Sequence, residues 1–115
     1  MAHDDKYAEG ATQYQTFAST RKAAEAGDAA AQFKLGVMYA EGDGVAQNYA
    51  TAVSWLRKAA EQGDADAQFT LGFMYATGRG VVQNDATAVS WWLKAAEQGH
   101  ARGQCYLGTM FKGGS

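Results

Sequence analysis

The sequence predicts an all-α protein built from stacked pairs of antiparallel helices. The first observation is a tandem repeat: residues 24–59 are followed directly by a second copy at 60–95, with 26 of the 36 positions identical. The second is the composition, because alanine, leucine, glutamine, glutamate and lysine favour helices and β-branched residues are few. A repeat of this length is too small to bury its own apolar face, so neighbouring copies must share a core.

The first helix of the repeat is predicted over about 29–41, and over about 65–77 in the second copy. Asp28 precedes this helix and is a good N-cap, because its carboxylate can accept a free backbone amide of the first turn. Gly42 follows it, where a left-handed glycine commonly ends a helix. The corresponding cap residues of the second copy are Asp64 and Gly78.

The second helix of the repeat begins after Asn48, and after Asn84 in the second copy, where the amide side chain is a favourable N-cap. Both helices are expected to end near residues 62 and 98, ahead of Gly63 and Gly99. Because the links are short, the two helices of each repeat must lie antiparallel.

Apolar residues at helical spacing define the buried side of the first helix. Gly36 adjoins this side, and Gly72 stands at the equivalent position of the second copy. A glycine within a helix lowers its stability by about 1 kcal/mol relative to alanine. A glycine repeated at this position indicates very close contact between helices. The periodic apolar residues of the first copy are Ala31, Leu35, Met38 and Tyr39.

The whole chain, 1–115, is predicted to form one repeat domain with an unequal beginning and end. Residues 1–23 are a degenerate, more polar version of the unit, as expected of the cap of a solenoid. Residues 96–115 form an incomplete unit with a first helix over about 101–112 and no second helix to cover it. The two complete repeats, 24–59 and 60–95, lie between these ends.

Charge and hydropathy exclude several classes of protein. Ten basic and twelve acidic residues give a net charge of −2, too balanced to bind a phosphate backbone, so no nucleic-acid partner is expected. No segment approaches the ~20 apolar residues of a membrane span, so no membrane insertion is expected. The N-terminus lacks the pattern of a signal peptide, which leaves a cytoplasmic protein or an exported protein without its signal peptide. Cys105 is the only cysteine, so no internal disulfide can form.

Three segment patterns, AxAQFxLGxMYAxGxGV, QNxATAVSW and KAAEQGDADAQ, closely resemble Sel1-like repeats, which are relatives of tetratricopeptide repeats. The chain departs from that family where Ala46 and Val82 stand in place of the usual proline. The resemblance implies a right-handed α-solenoid whose first helices line a concave face, and a role as an adaptor in protein complexes.

Positions that differ between the two copies form a continuous line on the first helix, hereafter the variable stripe. In the first copy they are Ala30, Lys34, Val37 and Glu41. Their spacing of i, i+4, i+7 and i+11 puts them on one face of the helix, opposite the predicted core. One interpretation is a solvent-exposed face whose sequence varies because no packing constrains it. The other is a groove for a protein or peptide, with Phe73 and Tyr106 as apolar anchors and Lys34, Asp66 and Arg102 as polar selectors. The candidate partner-binding residues are Lys34, Val37, Asp66, Thr70, Phe73, Thr77, Arg102, Tyr106 and Thr109, with Phe33 and Phe69 at the edge of the stripe.

No catalytic, metal or cofactor site is predicted. The chain lacks the paired Cys and His spacings of zinc sites, and His100 stands at the position of the helix-capping aspartates. The glycine-rich turns follow helices and lack the Lys-Ser/Thr ending of a phosphate-binding loop. The tryptophans Trp55, Trp91 and Trp92 are interpreted as packing between units. A cysteine-rich branch of the Sel1-like family has been linked to β-lactam hydrolysis, but its two cysteines per repeat are absent here.

The sequence therefore predicts a non-enzymatic adaptor that binds a protein or peptide on the face of its first helices. Two alternatives remain open: self-association through the incomplete last unit, and a fragment of a longer repeat array.

Overall fold

The computed structural model describes residues 16–101, 103–104 and 107–108, and every regular element in these ranges is a helix. The described part of 101–108 is also helical. The predicted all-α solenoid of antiparallel helix pairs is confirmed, and the predicted first helices agree with it at both ends. The helices are α1 (16–25), α2 (Ala29–Glu41), α3 (Tyr49–Glu61), α4 (Ala65–Thr77) and α5 (Asp85–Glu97).

Local side-chain chemistry sets the helix ends as predicted. The Asp28 carboxylate accepts the backbone N–H of Ala31 at 3.1 Å, and the Asn48 side chain accepts that of Thr51 at 3.0 Å. Gly42 adopts φ 72° and donates its backbone N–H to the carbonyl of Met38. Asp64, Asn84 and Gly78 repeat these arrangements in the second copy.

Glycine within the first helix allows its partner helix to approach closely, as the repeated glycine predicted. A Cβ on Gly72 would lie 2.6 Å from Nε1 of Trp92 and 3.0 Å from the carbonyl oxygen of Ala88. A Cβ on Gly36 would lie 2.7 Å from Cγ of Leu56. The pairs α2–α3 and α4–α5 therefore pack with almost no space between their backbones.

Two apolar clusters hold the pairs together. The first joins α3 to α4, with α2 contributing half-buried aromatic rings, and Leu56 and Leu71 are fully buried in it. The second joins α4 to α5 and includes Leu107 of the last helical segment. Each helix pair thus completes its core against a neighbour, as expected of a solenoid. None of the helices in the described ranges has the length and apolar character that a membrane span requires.

A ladder of glutamine side chains crosses the stack and was not predicted from the sequence. Gln68 is buried, and its Nε2 donates to the carbonyl of Ala60 on the preceding helix at 3.1 Å. Its Oε1 accepts a hydrogen bond from Nε2 of Gln98 at 2.9 Å. Gln32 and Gln62 form the equivalent rung of the first repeat. Each rung satisfies a buried amide and ties three consecutive helices together.

Replacing Gln68 with alanine is expected to lower the free energy of unfolding by about 2 kcal/mol, because the amide of Gln98 loses its partner and the carbonyl of Ala60 keeps only backbone donors such as the N–H of Gly63. Gln83→Ala is the matched control, since Gln83 makes a similar bond to the carbonyl of Ala76 at 2.9 Å but is exposed to water. Urea denaturation of both variants measures the difference. Equal losses in the two variants would show that the ladder contributes no more than a surface hydrogen bond.

Several predictions lie outside the described residues. They concern the first part of the degenerate unit, 1–15, and much of the predicted last helix. Candidate residues Arg102, Tyr106 and Thr109, and also Cys105, belong to this group.

Candidate functional site: a groove between the first helices of successive repeats

A groove of about 820 Å³ runs between α2 and α4, the first helices of the two repeats; it is hereafter the α2–α4 groove. Its walls are helical, and one end is closed by the turns that follow the two helices and by the start of α3. Helical spacing brings the outer face of each first helix to this groove, since residues three and four apart share a face. The lining residues are Phe33, Val37, Ala40, Glu41, Gln47, Tyr49, Phe69, Thr70, Phe73, Met74 and Arg79.

Five of the candidate residues predicted from the sequence line this groove. Val37 and Phe73 are half-buried and stand at equivalent positions of the two repeats. Thr70 lies one turn before Phe73, and its hydroxyl donates to the carbonyl of Asp66 at 2.8 Å. Phe33 and Phe69, the residues at the edge of the variable stripe, complete the set.

Phe69 forms the floor of the groove rather than its rim. Only 9% of its surface is exposed. Its ring stacks on His100, with centroids 4.9 Å apart, and on Trp92, with centroids 6.5 Å apart. The side chain therefore belongs mainly to the core, whereas the equivalent Phe33 is half-buried.

The remaining described candidates lie beside the groove. Lys34 is exposed on α2 and does not line it. Thr77 is exposed at the end of α4, where its hydroxyl donates to the carbonyl of Phe73 at 2.9 Å. Asp66 lines a second, smaller depression at the start of α4.

This second depression has a volume of about 320 Å³ and shares Phe33, Phe69 and Thr70 with the α2–α4 groove. His100 forms part of its wall. The His100 Nδ1 atom accepts the backbone N–H of Gly103 at 3.1 Å, so His100 caps the last helical segment as predicted. Its Nε2 lies 2.9 Å from Oδ1 of Asp66. A neutral ring with its proton on Nε2 satisfies both contacts.

Six of the eleven lining residues were not among the predicted candidates, and among these Arg79 and Tyr49 contact each other. The guanidinium carbon of Arg79 lies 5.7 Å from the ring centroid of Tyr49 and 5.7 Å from that of Phe73. Both residues differ between the two copies, where the equivalents are Asp43 and Asp85. Arg79 lies in a glycine-rich turn and Tyr49 is the first residue of α3, so both stand outside the first helices that carry the variable stripe. The difference between the two copies at each position is the sequence signal that indicates them.

The described residues form a groove of mixed apolar and polar character and contain no metal cluster. Across residues 16–101, 103–104 and 107–108, no three side chains of the metal-ligating types His, Cys, Asp and Glu come together. The groove instead presents aromatic rings, a threonine hydroxyl, a carboxylate and a guanidinium. Such a set can hold a peptide or a protein surface by non-covalent contacts.

A family model for the Sel1 repeat matches residues 29–64 and 65–100, which together make up more than half of the chain. The chain belongs to the Sel1 repeat family. The predicted resemblance is therefore confirmed. The Sel1 fold is typically a non-enzymatic repeat scaffold, and its repeats commonly act as protein-interaction modules.

Solved structures of other Sel1 repeat proteins are similar to this one. A Sel1 repeat protein from Oxalobacter formigenes is 46% identical over 72% of this chain and 33% of its own, with a TM-score of 0.71. The protein c5321, a protective antigen of uropathogenic Escherichia coli strains with an SLR fold, is 44% identical over 83% of this chain and 20% of its own, with a TM-score of 0.81.

The Helicobacter pylori cysteine rich protein B is 29% identical over 78% of this chain and 68% of its own, with a TM-score of 0.74. This chain thus spans a third of the length of the Oxalobacter formigenes protein and a fifth of the length of c5321. A comparison with curated proteins gave no match.

The tryptophans of this Sel1 repeat protein differ in their contacts. Trp92 shares an apolar cluster with Leu107 of the last unit, as its interpretation as packing between units expects, whereas the cation–π contacts of Trp91 and Trp55 are with lysines of their own helices. Trp92 is 3% exposed, and its Nε1 donates to the carbonyl of Phe69 at 3.0 Å. Trp91 is half-buried and lies under the ammonium group of Lys94, 4.7 Å from its ring centroid. Trp55 has the same arrangement with Lys58 at 4.6 Å.

Proposed function

We propose that this chain is a protein-interaction module that holds a segment of another protein in the α2–α4 groove. One observation carries the proposal. Ten of the 36 repeat positions differ between the two copies, yet six of the eleven groove-lining residues stand at such positions. Stacking requires similar residues in each copy, so divergence concentrated in a groove is typical of a surface that recognises something. These six residues are Val37, Glu41, Tyr49, Thr70, Phe73 and Arg79.

The chemistry of the groove supports binding to a protein. Aromatic side chains and arginine are enriched in interfaces, and both line this groove. Phe73 is half-buried, so a ligand that covers it would remove further apolar surface from water. The half-buried ring of Phe33 adds further apolar surface to the groove.

The function proposed is non-enzymatic binding, by which the module links its partner to a larger assembly. The alternatives, self-association through the last unit and membership of a longer repeat array, remain predictions. Leu93 lies on α5, just before the last unit, and is 43% exposed.

The test is the variant Phe73→Asp. We expect this carboxylate to remove an apolar anchor from the groove and to weaken binding of the partner by at least about tenfold. The partner is captured from a lysate of the source cells, purified, and its affinity for the wild type and the variant is measured by calorimetry. Thermal unfolding of the variant shows whether its fold is intact.

Val82→Asp is the matched control, because Val82 is 88% exposed and does not line the groove. It introduces the same charge in the second repeat and is expected to leave the affinity unchanged. Equal affinities of Phe73→Asp and the wild type, with both proteins folded, would contradict the proposal.

A further inference from the structure

Arg79 occupies an unusual position at the end of the α2–α4 groove. It lies in the turn after α4, between Gly78 and Gly80, whose φ angles are 70° and 73°. Glycine adopts this left-handed backbone conformation without strain, so the chain can turn directly after α4. This turn places the Arg79 guanidinium beside the rings of Tyr49 and Phe73, at the groove wall.

The two rings hold Arg79 without satisfying its hydrogen-bond donors. A guanidinium is attracted to ring faces, while its N–H groups point outward in its own plane and match a carboxylate. Arg79 makes no ion pair and no side-chain hydrogen bond with any residue that the structure describes. Its side chain is exposed and lines the groove, so these donors are accessible to a ligand there. The rings also restrict the side chain beforehand, which reduces the entropy lost when a ligand binds.

The charges around Arg79 distinguish this groove. Glu41 lines the same groove but does not pair with Arg79. The first repeat has Asp43 at the position of Arg79, so the two copies carry opposite charges at this turn. A positive group with no partner, next to an apolar wall, is complementary to an anion attached to an apolar group.

We propose that the groove selects a segment of a partner protein in which an acidic side chain lies next to an apolar one. The carboxylate of the segment binds the outward N–H groups of Arg79, and the apolar side chain covers Phe73 and Val37. Phe73 therefore contributes to both contacts: its ring positions Arg79 for the carboxylate, and its exposed surface packs against the apolar side chain. This inference rests on the proposed function and specifies the chemistry of the ligand.

The experiment uses a random-peptide phage library selected on the whole immobilised chain. We expect the enriched peptides to share an aspartate or glutamate adjacent to an aromatic or aliphatic residue. A peptide from the selection is then labelled, and its affinity is measured by fluorescence anisotropy. Arg79→Gln is expected to weaken binding between about 10- and 100-fold, the range for hydrogen bonds to a charged group.

A double-mutant cycle tests the pairing directly. Replacing the acidic residue of the peptide with its amide should weaken binding as much as Arg79→Gln does, and combining both changes should add little further loss. Arg79→Lys should keep part of the affinity because the charge remains. Glu41→Gln should strengthen binding, because it removes from the groove a negative charge that repels the carboxylate of the peptide.

Arg57→Gln is the matched control. The Arg57 guanidinium also lies over a tyrosine ring, 5.9 Å from the centroid of Tyr75, and donates to its hydroxyl, but Arg57 is not part of the groove. Its replacement should leave peptide affinity unchanged. Enriched peptides without acidic residues, no enriched peptide, or unchanged affinity in Arg79→Gln would each overturn the inference. Loss of binding in Phe73→Asp but not in Arg79→Gln would overturn this inference and leave the proposed function standing, whereas loss in neither would count against both.

Discussion

Trp92→Ala is expected to lower the free energy of unfolding by about 4 kcal/mol, the range for removing a large buried aromatic side chain. The indole is 3% exposed and packs between Phe69 and Leu107, so its removal leaves a cavity at the joint between α4, α5 and the last helical segment. The carbonyl of Phe69 also loses the Nε1 donor at 3.0 Å. This loss is a large fraction of the roughly 5–15 kcal/mol that stabilises an ordinary domain.

Urea denaturation followed by circular dichroism measures the effect without relying on the fluorescence of the deleted tryptophan. Trp91→Ala is the control, since Trp91 is half-buried and adjacent in sequence, and it should cost much less. Trp92→Leu introduces the residue that the first repeat carries at this position, Leu56, and should recover part of the stability. A Trp92→Ala variant as stable as Trp91→Ala would contradict the assignment of Trp92 to the core.

Gly80→Ala is expected to lower the free energy of unfolding by about 3 kcal/mol, from two causes that add. Gly80 has φ 73°, a conformation that costs an alanine about 1 kcal/mol or more. A Cβ at this position would also lie 2.5 Å from the carbonyl oxygen of Tyr49 and 2.7 Å from its carbonyl carbon. These are backbone atoms at the first residue of α3, so rotating a side chain cannot relieve the contact.

Gly63→Ala separates the two causes. Gly63 also has a positive φ, 98°, but a Cβ there would meet no atom within 4 Å. It should therefore cost only about 1 kcal/mol, from backbone conformation alone. Thermal and urea unfolding of both variants provide the comparison. Similar losses of unfolding free energy would show that the contact between the added Cβ at position 80 and the backbone of Tyr49 does not destabilise the fold.

The helix ends were predictable because the interactions that set them are local. Asp28 and Asn48 cap helices through amides three residues away, so the sequence itself contains both partners. The close approach at Gly36 was predictable for another reason. A glycine that is unfavourable in a helix and yet repeated in both copies must have a packing role.

The glutamine ladder and the position of Arg79 depend on contacts between residues far apart in sequence. The bond from Gln98 to Gln68 joins residues 30 positions apart, and nothing local to either residue indicates it. Arg79 meets the ring of Tyr49 only because one repeat stacks on the next. The variable stripe anticipated Val37 and Phe73 in the groove wall, but the contribution of the turns required the structure.

The glutamine ladder also limits how the length of such a chain can change. Gln68 donates to the last helix of the preceding pair and accepts from Gln98 at the end of its own pair, so a rung is complete only when whole repeats adjoin. Inserting or deleting part of a repeat would leave a buried amide without a partner, whereas copying a whole repeat supplies every partner again. Each added copy would also create one more groove between successive first helices. Duplication of whole units can thus give such a protein a new groove whose lining residues are free to diverge, without any change to its core.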